Sequence, residues 1–177
     1  MKTTVFAFAL FLLQFTFANE LFAQKGKNEI GIGAEIGPVL DHFTYSYQYG
    51  LPVKVYIGIG TSGQLMLRSG IHSFQVSNLY EAWESINMYM IPVALGYRQN
   101  FNKFYIEPSI GAARSMHTHV LANPRETYRS SETEIHYGLE FGYQIKRFDV
   151  GFSVNNTGPI PYNLFYSGFK ALYKFEL

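Results

Sequence analysis

The sequence predicts an all-β protein, an eight-stranded antiparallel up-and-down transmembrane β-barrel. The first observation is a run of odd-numbered positions, from Phe43 to Ile59, that are all apolar or aromatic. A period of two is typical of a β-strand with one apolar face. The run exceeds the usual strand of about 5–6 residues and is long enough to cross a bilayer, which takes about 9–11. The other observations are the number of such segments and the lengths of their connections.

Eight segments alternate in this way between residue 28 and the end of the chain. Each has apolar or aromatic side chains on one face and mostly small, polar or charged residues on the other. In order, the predicted strands are Ile30–Gly37, Phe43–Ile59, Leu65–His72, Tyr89–Arg98, Phe104–Ala113, Ile135–Tyr143, Phe148–Asn155 and Gly168–Leu177. An even number of strands is typical of bacterial outer-membrane barrels.

The connections alternate in length. Three are tight turns, at 61–64, 100–102 and 145–147, and three are long, at 75–86, 115–133 and 156–166. The first connection, 37–42, is an exception, and we expect the two strands that it joins to continue beyond the membrane. Short turns at one end and long loops at the other are typical of an outer-membrane barrel with periplasmic termini.

The apolar face is continuous and almost free of charge, whereas the polar face is rich in glycine. A soluble lipocalin-type barrel is the alternative, but it turns its apolar face inward and covers its outside with charge. The expected aromatic girdles are Tyr45, Tyr47, Tyr49 and Tyr89 at one rim, and Tyr97, Tyr143, Phe148 and Phe175 at the other. Such girdles are typical of the two bilayer interfaces, so the sequence favours an apolar face turned toward lipid.

Charged residues on the polar face form the first candidate site. The six candidates are Glu35, Lys54, Arg68, Glu107, Glu140 and Lys170. In so narrow a barrel we expect them to interlock as a buried network that fixes the strand register and blocks conduction. The alternative is that they line a pore.

The second candidate site is a long loop that contains Tyr80 and the single tryptophan, Trp83. Tyr and Trp are enriched at binding hot spots, which predicts an interaction surface. An interfacial anchor among lipid headgroups is the alternative.

Three prolines lie inside predicted strands, namely Pro52, Pro92 and Pro108. A closed barrel has no free edge to accommodate them, so each gives up a hydrogen bond of the ladder. Pro108 lies on the lipid face, and we expect a β-bulge near it.

Histidines suggest a metal site and a serine hydrolase, but each lacks residues that its chemistry needs. His117 and His119 have metal-ligand spacing in a predicted loop but no acidic or cysteine ligand close by, so no metal or other cofactor is predicted. His72-Ser73 suggests a serine hydrolase, and Phe152–Asn156 faintly resembles the active-site strand of lipid A deacylases. Adjacent strand residues point to opposite faces, however, so His72 and Ser73 cannot pair directly, and no catalytic residue is assigned.

The chain begins with a predicted secretory signal peptide, residues 1–23, followed by the barrel domain, 24–177. Its apolar run is too short and too early to be a spanning helix. Cleavage after Ala18 is the alternative to cleavage after Ala23. Cysteine is absent from the sequence, so disulfides and a lipoprotein anchor are excluded.

Two segments resemble the PorT-like outer-membrane β-barrel family of Bacteroidetes. Tyr89–Tyr97 followed by Phe104–Pro108 is similar to the family's aromatic-x-Ile-Pro strand and its hairpin, and Leu67–Ile71 is similar to the preceding strand. The resemblance implies an architecture and a location in the outer membrane. It implies little about activity.

These observations predict a protein of the bacterial outer membrane that is a non-enzymatic structural or interaction component. Its expected surroundings are outer-membrane lipid and lipopolysaccharide, with an envelope protein as a partner bound by the extracellular loops. A net charge of +1 and the lack of any nucleic-acid motif argue against a nucleic-acid partner. The alternatives are a lipid-modifying enzyme and a small solute pore.

Overall fold

The protein forms a closed antiparallel barrel of eight strands in chain order, which confirms the predicted fold class. The computed structural model describes residues 27–41, 45–76, 83–121, 126–159 and 164–177. The strands are β1 (Glu29–Asp41), β2 (Tyr45–Ile59), β3 (Gly63–Val76), β4 (Trp83–Phe101), β5 (Phe104–Leu121), β6 (Thr127–Ile145), β7 (Phe148–Thr157) and β8 (Leu164–Glu176). No helix in these ranges is both long and apolar enough to cross a membrane.

The strands are staggered as barrel closure requires. Following the directly paired residues once around the barrel from Phe141 leads back to β6 at Ser131, ten residues away. An eight-stranded barrel is just wide enough for side chains to fill its interior. Whatever lies on the polar face must therefore pack against itself.

The apolar face points outward. Leu95 and Phe169 are each 68% exposed, and Ile110 is 60% exposed. On the opposite face, Lys54 and Arg68 are only 1% and 2% exposed. This orientation is the reverse of that in a water-soluble barrel, where the apolar side chains point into the interior.

The three short turns join β2 to β3, β4 to β5 and β6 to β7 at the end of the barrel that also holds both described termini. We call this the short-turn end and the opposite one the long-connection end. Gly60, Asn102 and Lys146 have φ angles of 62°, 62° and 56°. This left-handed conformation reverses the chain within two or three residues.

The predicted long loops were largely wrong, because most of their residues are strand. β4 begins at Trp83, and β5 and β6 stay paired as far as Val120 and Thr127. β1 likewise continues to Asp41, so most of the predicted first connection is also strand. In β6, residues 127–133 are exposed on both faces, and the apolar alternation is lost there.

The bulge expected near Pro108 is absent from the described pairing. The register between β4 and β5 is the same on both sides of Pro108, and the ladder instead skips the pairs that involve Tyr97 and Arg98. Pro52 and Pro92 show the same gap without a shift. Each proline thus forfeits ladder bonds on one side while the other ladder holds the strand in place.

The register shifts of the described strands lie at the long-connection end, at Val39/Asp41, Tyr45/Tyr47 and Trp83/Ser85. The shift in β2 corrects one girdle assignment. Tyr45 points into the barrel and is 5% exposed, whereas Tyr47 and Tyr49 face outward. One extra residue in a strand moves the preceding side chain to the other face.

Candidate functional site

Among the described residues, ten charged side chains, five acidic and five basic, are buried inside the barrel. They include all six candidates from the sequence. The other four are Glu29, Arg98, Asp149 and Lys174. Because they are linked one to the next, we call these ten residues the charge chain.

The charge chain starts near the middle of the barrel. Arg68 Nη2 lies 3.7 Å from Glu35 Oε2, which is also 3.5 Å from Lys170 Nζ. Lys170 binds Glu140, and Glu140 Oε2 is in turn 2.8 Å from Lys54 Nζ. Acidic and basic groups therefore alternate from one residue to the next.

The same alternation continues to the short-turn end. Lys54 binds Glu107, whose Oε1 lies 3.3 Å from Arg98 Nη1. Arg98 binds Asp149, and Lys174 Nζ then bridges Asp149 Oδ1 at 3.6 Å and Glu29 Oε2 at 3.0 Å. Five positive and five negative charges cancel, so each desolvated charge has an opposite partner beside it.

Two tyrosines add hydrogen bonds to the charge chain. The Tyr56 hydroxyl donates to Glu107 Oε1 at 3.1 Å, and the Tyr105 hydroxyl donates to Glu140 Oε1 at 2.9 Å. The Arg98 guanidinium lies 3.7 Å from the centre of the Tyr105 ring, a cation–π contact. Gly142 makes this possible, because a Cβ there would overlap the Tyr105 ring.

A layer of polar side chains around two histidines, which we call the histidine layer, follows the charge chain toward the long-connection end. His72 Nδ1 lies 3.1 Å from Gln48 Oε1, and His136 Nδ1 lies 2.8 Å from Thr157 Oγ1. Both rings are fully buried. Ser73 is on the outer wall, and in the described part of the chain neither buried ring is hydrogen-bonded to a serine. The serine-hydrolase arrangement considered from the sequence is therefore not assembled by these residues.

An apolar cluster closes the barrel interior at the long-connection end. Phe74 packs edge-on against Tyr45 and Tyr166, with ring centres 6.0 and 5.4 Å apart. The whole cluster comprises Tyr45, Phe74, Ile86, Met88, Met90, Ala113, Leu164 and Tyr166. Charge chain, histidine layer and apolar cluster follow one another along the interior.

The short-turn end holds a polar cavity of about 250 Å³, lined by groups that include Lys27, Gln64 and Lys174. Lys27 Nζ lies 2.9 Å from Glu176 Oε1, and this hydrogen-bonded carboxylate raises the pKa of Lys27. The Leu177 N–H donates to the carbonyl of Asn28 at 3.0 Å. These contacts tie the first described residues to the last strand.

His117 and His119 lie in β5 and not in a loop, which corrects the sequence interpretation. Their rings are stacked with centres 6.2 Å apart, and His117 Nδ1 lies 3.3 Å from the Tyr45 hydroxyl. Among the residues that the structure describes, no three His, Cys, Asp or Glu side chains are grouped as a metal site requires.

Of the two loop candidates, Tyr80 and Trp83, the structure describes one. Tyr80 lies outside the described residues. Trp83 is the first residue of β4, where its backbone pairs with Leu121. Beyond the last pairs with β3 and β7, the strands β4, β5 and β6 stay paired with one another. We call this part, residues 83–87, 116–121 and 127–134, the projecting sheet.

Four members of the charge chain are not among the six candidates from the sequence, although the strand pattern places three of them on the polar face. Arg98, Asp149 and Lys174 occupy positions on the polar face of their predicted strands, as the six chosen residues do. Glu29 precedes the first predicted strand, so its face was not assigned. The pairing of each residue depends on the stagger of the barrel, which the sequence does not reveal.

The sequence matches no protein-family model and no curated protein. Solved structures with the same fold include Ail, the attachment invasion locus protein of Yersinia pestis, with a TM-score of 0.65 and 14% identity over 86% of this chain and 100% of that chain. The N-terminal β-barrel domain of Pseudomonas aeruginosa OprF has a TM-score of 0.60 and 14% identity over 85% and 99%. A major outer membrane protein from Thermus thermophilus has a TM-score of 0.61 and 10% identity over 84% and 99%. The shared fold is the small bacterial outer-membrane barrel.

Proposed function

We propose that this chain is a bacterial outer-membrane protein of the PorT-like family, without enzymatic activity, that serves as a structural or interaction component. Residues 1–23 are removed as a signal peptide, and the barrel comprises 24–177. Its apolar band lies among outer-membrane lipid and lipopolysaccharide. The short-turn end faces the periplasm, and an envelope protein binds at the long-connection end.

The orientation of the side chains supports the membrane location. Large apolar side chains such as Leu51, Leu95 and Phe169 are at least 60% exposed on the outer wall. Exposing so large an apolar band to water is unfavourable, whereas a bilayer accommodates it.

The side chains inside the barrel argue against a solute pore. Conduction needs a water-filled path, but the charge chain is paired along its length and the apolar cluster closes the far end. Single-channel recording in planar bilayers should therefore show no conductance. A resolved, reproducible channel would favour the pore instead.

The projecting sheet of β4, β5 and β6 is the observation that carries the interaction role. Residues 127–133 of this sheet are exposed on both faces, so the barrel core does not account for them. The Ail protein of Yersinia pestis, which has the same fold, was solved in complex with the heparin analogue sucrose octasulfate. A small barrel of this fold can thus bind a ligand.

Shortening the projecting sheet tests the interaction role. Replacing residues 116–131 with Asn-Gly joins Ser115 to Glu132, which are directly paired, through a favoured two-residue turn. The variant should insert and show the same heat-dependent gel shift as the wild type. Purified from native membranes in mild detergent, it should lose a protein that the wild type retains. An identical set of co-purifying proteins would contradict the proposed interaction role.

The proposed lack of enzymatic activity has its own test. Phospholipase and deacylase assays on the purified wild type should show no activity.

A further inference from the structure

One edge of the projecting sheet has no neighbouring strand among the described residues. β6 pairs with β5 from Thr127 onward, but its pairing with β7 begins only at His136. Within the described part of the chain, residues 127–134 are therefore paired on one side only. Such an edge presents a row of free backbone donors and acceptors.

Two hydrogen bonds establish which residues present these groups. The Leu121 N–H donates to the Glu126 carbonyl in β5–β6 pairing, and the Gly158 N–H donates to the Ile135 carbonyl from the β7 side. Because backbone groups alternate in direction along an antiparallel strand, even-numbered residues of β6 face β5 and odd-numbered residues face away. Arg129, Ser131 and Thr133 therefore direct their N–H and C=O groups to the open side.

This edge lacks two common features that block strand addition. No proline interrupts residues 127–134, and the β5–β6 register runs through them without a shift. Proteins often protect edges with proline or with a bulge. The segment is long enough to offer several backbone hydrogen bonds to one added strand.

Charge next to the edge indicates what kind of strand would fit. Glu132 and Glu134 lie two residues apart and so share one face, the face continuous with the barrel interior. Glu126 adds a third acidic group. The basic side chains nearby, Arg129 and Arg114, lie on the opposite face, where Arg114 donates to Ser131. Opposite charges on neighbouring strands attract and like charges repel, so basic side chains at alternate positions suit this edge.

We propose that the free edge of β6, residues 127–134, binds an extended basic segment of a partner polypeptide by strand addition. The backbone of the added strand pairs with Arg129, Ser131 and Thr133, and its alternate basic side chains lie beside Glu132 and Glu134. This inference rests on the proposed interaction role and specifies the partner's binding segment.

A proline at an odd-numbered position separates backbone pairing from charge attraction. Ser131→Pro removes an N–H that faces the open side and leaves the β5–β6 hydrogen bonds in place. Ser131→Ala is the matched control, because it also loses the hydrogen bond from Arg114 Nη2 to Ser131 Oγ while it keeps the backbone donor. Heat-dependent gel mobility confirms that each variant is folded.

The probes are two end-blocked synthetic octapeptides, one alternating Lys and Thr and the other Glu and Thr. The Lys peptide should bind the detergent-solubilised wild type and Ser131→Ala equally. It should bind Ser131→Pro about tenfold more weakly, since one backbone hydrogen bond is lost and the proline ring stands where the added strand would pair. The Glu peptide should not bind. A Lys peptide N-methylated at alternate residues should bind weakly to the wild type, which tests the same pairing if Ser131→Pro does not fold.

Equal binding of the Lys peptide to Ser131→Pro and the wild type would overturn strand addition, as would its failure to bind the wild type. The native-membrane experiment separates the two proposals. If the 116–131 replacement loses a co-purifying partner that Ser131→Pro retains, the interaction role stands and strand addition fails. If the replacement loses nothing, the interaction role itself fails.

Discussion

Arg68 ends the charge chain, held by an ion pair to Glu35 and by a hydrogen bond from its Nη1 to Asn155 Oδ1 at 2.8 Å. Arg68→Ala leaves Glu35 with one cation fewer in a buried setting. Breaking a buried pair in this way costs about 3–5 kcal/mol. The temperature at which the folded form of Arg68→Ala converts to the unfolded form, seen as a shift on a gel, should be measurably lower than that of the wild type.

Arg114→Ala is the control for that measurement. Arg114 is exposed, and the hydrogen bond that it makes among the described residues is to an exposed serine hydroxyl, so its removal should cost at most about 1 kcal/mol. Equal conversion temperatures for Arg68→Ala and the wild type would mean that the charge chain does not hold the barrel together.

Gly142 leaves the space that the Tyr105 ring occupies. Gly142→Ala should force this ring to move, weaken its hydrogen bond to Glu140 and cost about 1–3 kcal/mol. In a Tyr105→Ala background the same substitution should cost much less, because the overlap is gone. Additive losses of stability in the double variant would show that the two residues do not share this space.

Tyr45 and Glu29 show where residue-level reasoning from the sequence ends. The strict alternation of β2 predicts that Tyr45 faces lipid, but a register shift before Tyr47 turns it inward. Glu29 completes the charge chain although it precedes the alternating part of β1. Bulges and strand ends depend on neighbouring strands, so a period-two pattern does not reveal them.

At the scale of elements, β4 passes through two environments. Val93 lies within the apolar band and is 52% exposed, whereas Asn87, on the same face, belongs to the projecting sheet. Val93→Arg should cost about 2–4 kcal/mol, because it places a charge in hydrocarbon. Asn87→Arg should fold into lipid vesicles as well as the wild type, and equal folding of both variants would contradict this division of the strand.

The same division explains which elements the sequence predicts. Inside the wall, lipid on one side and packed side chains on the other impose alternation, so all eight strands are recognisable. Residues 127–133 are polar on both faces because both faces meet water, and the pattern there resembles a loop. The strands of the projecting sheet, which carries the proposed binding edge, could therefore not be predicted from the sequence pattern.

In the molecule as a whole, apolar side chains face lipid while five acidic and five basic groups pair inside the barrel. The sequence predicts this arrangement because the composition and the period-two alternation identify the apolar face of each strand. The order in which the ten charges pair was not predictable, since the ten-residue stagger brings together residues from distant strands.

The most direct test is the accessibility of spin labels in the protein reconstituted into liposomes, which the lack of native cysteine makes simple. Single cysteines replace Ile110, in the apolar band, and Thr133, in the projecting sheet. The label at 110 should be relaxed by membrane-soluble oxygen and shielded from a water-soluble nickel chelate, and the label at 133 should show the reverse. Equal access of the nickel chelate to both labels would contradict the proposed orientation.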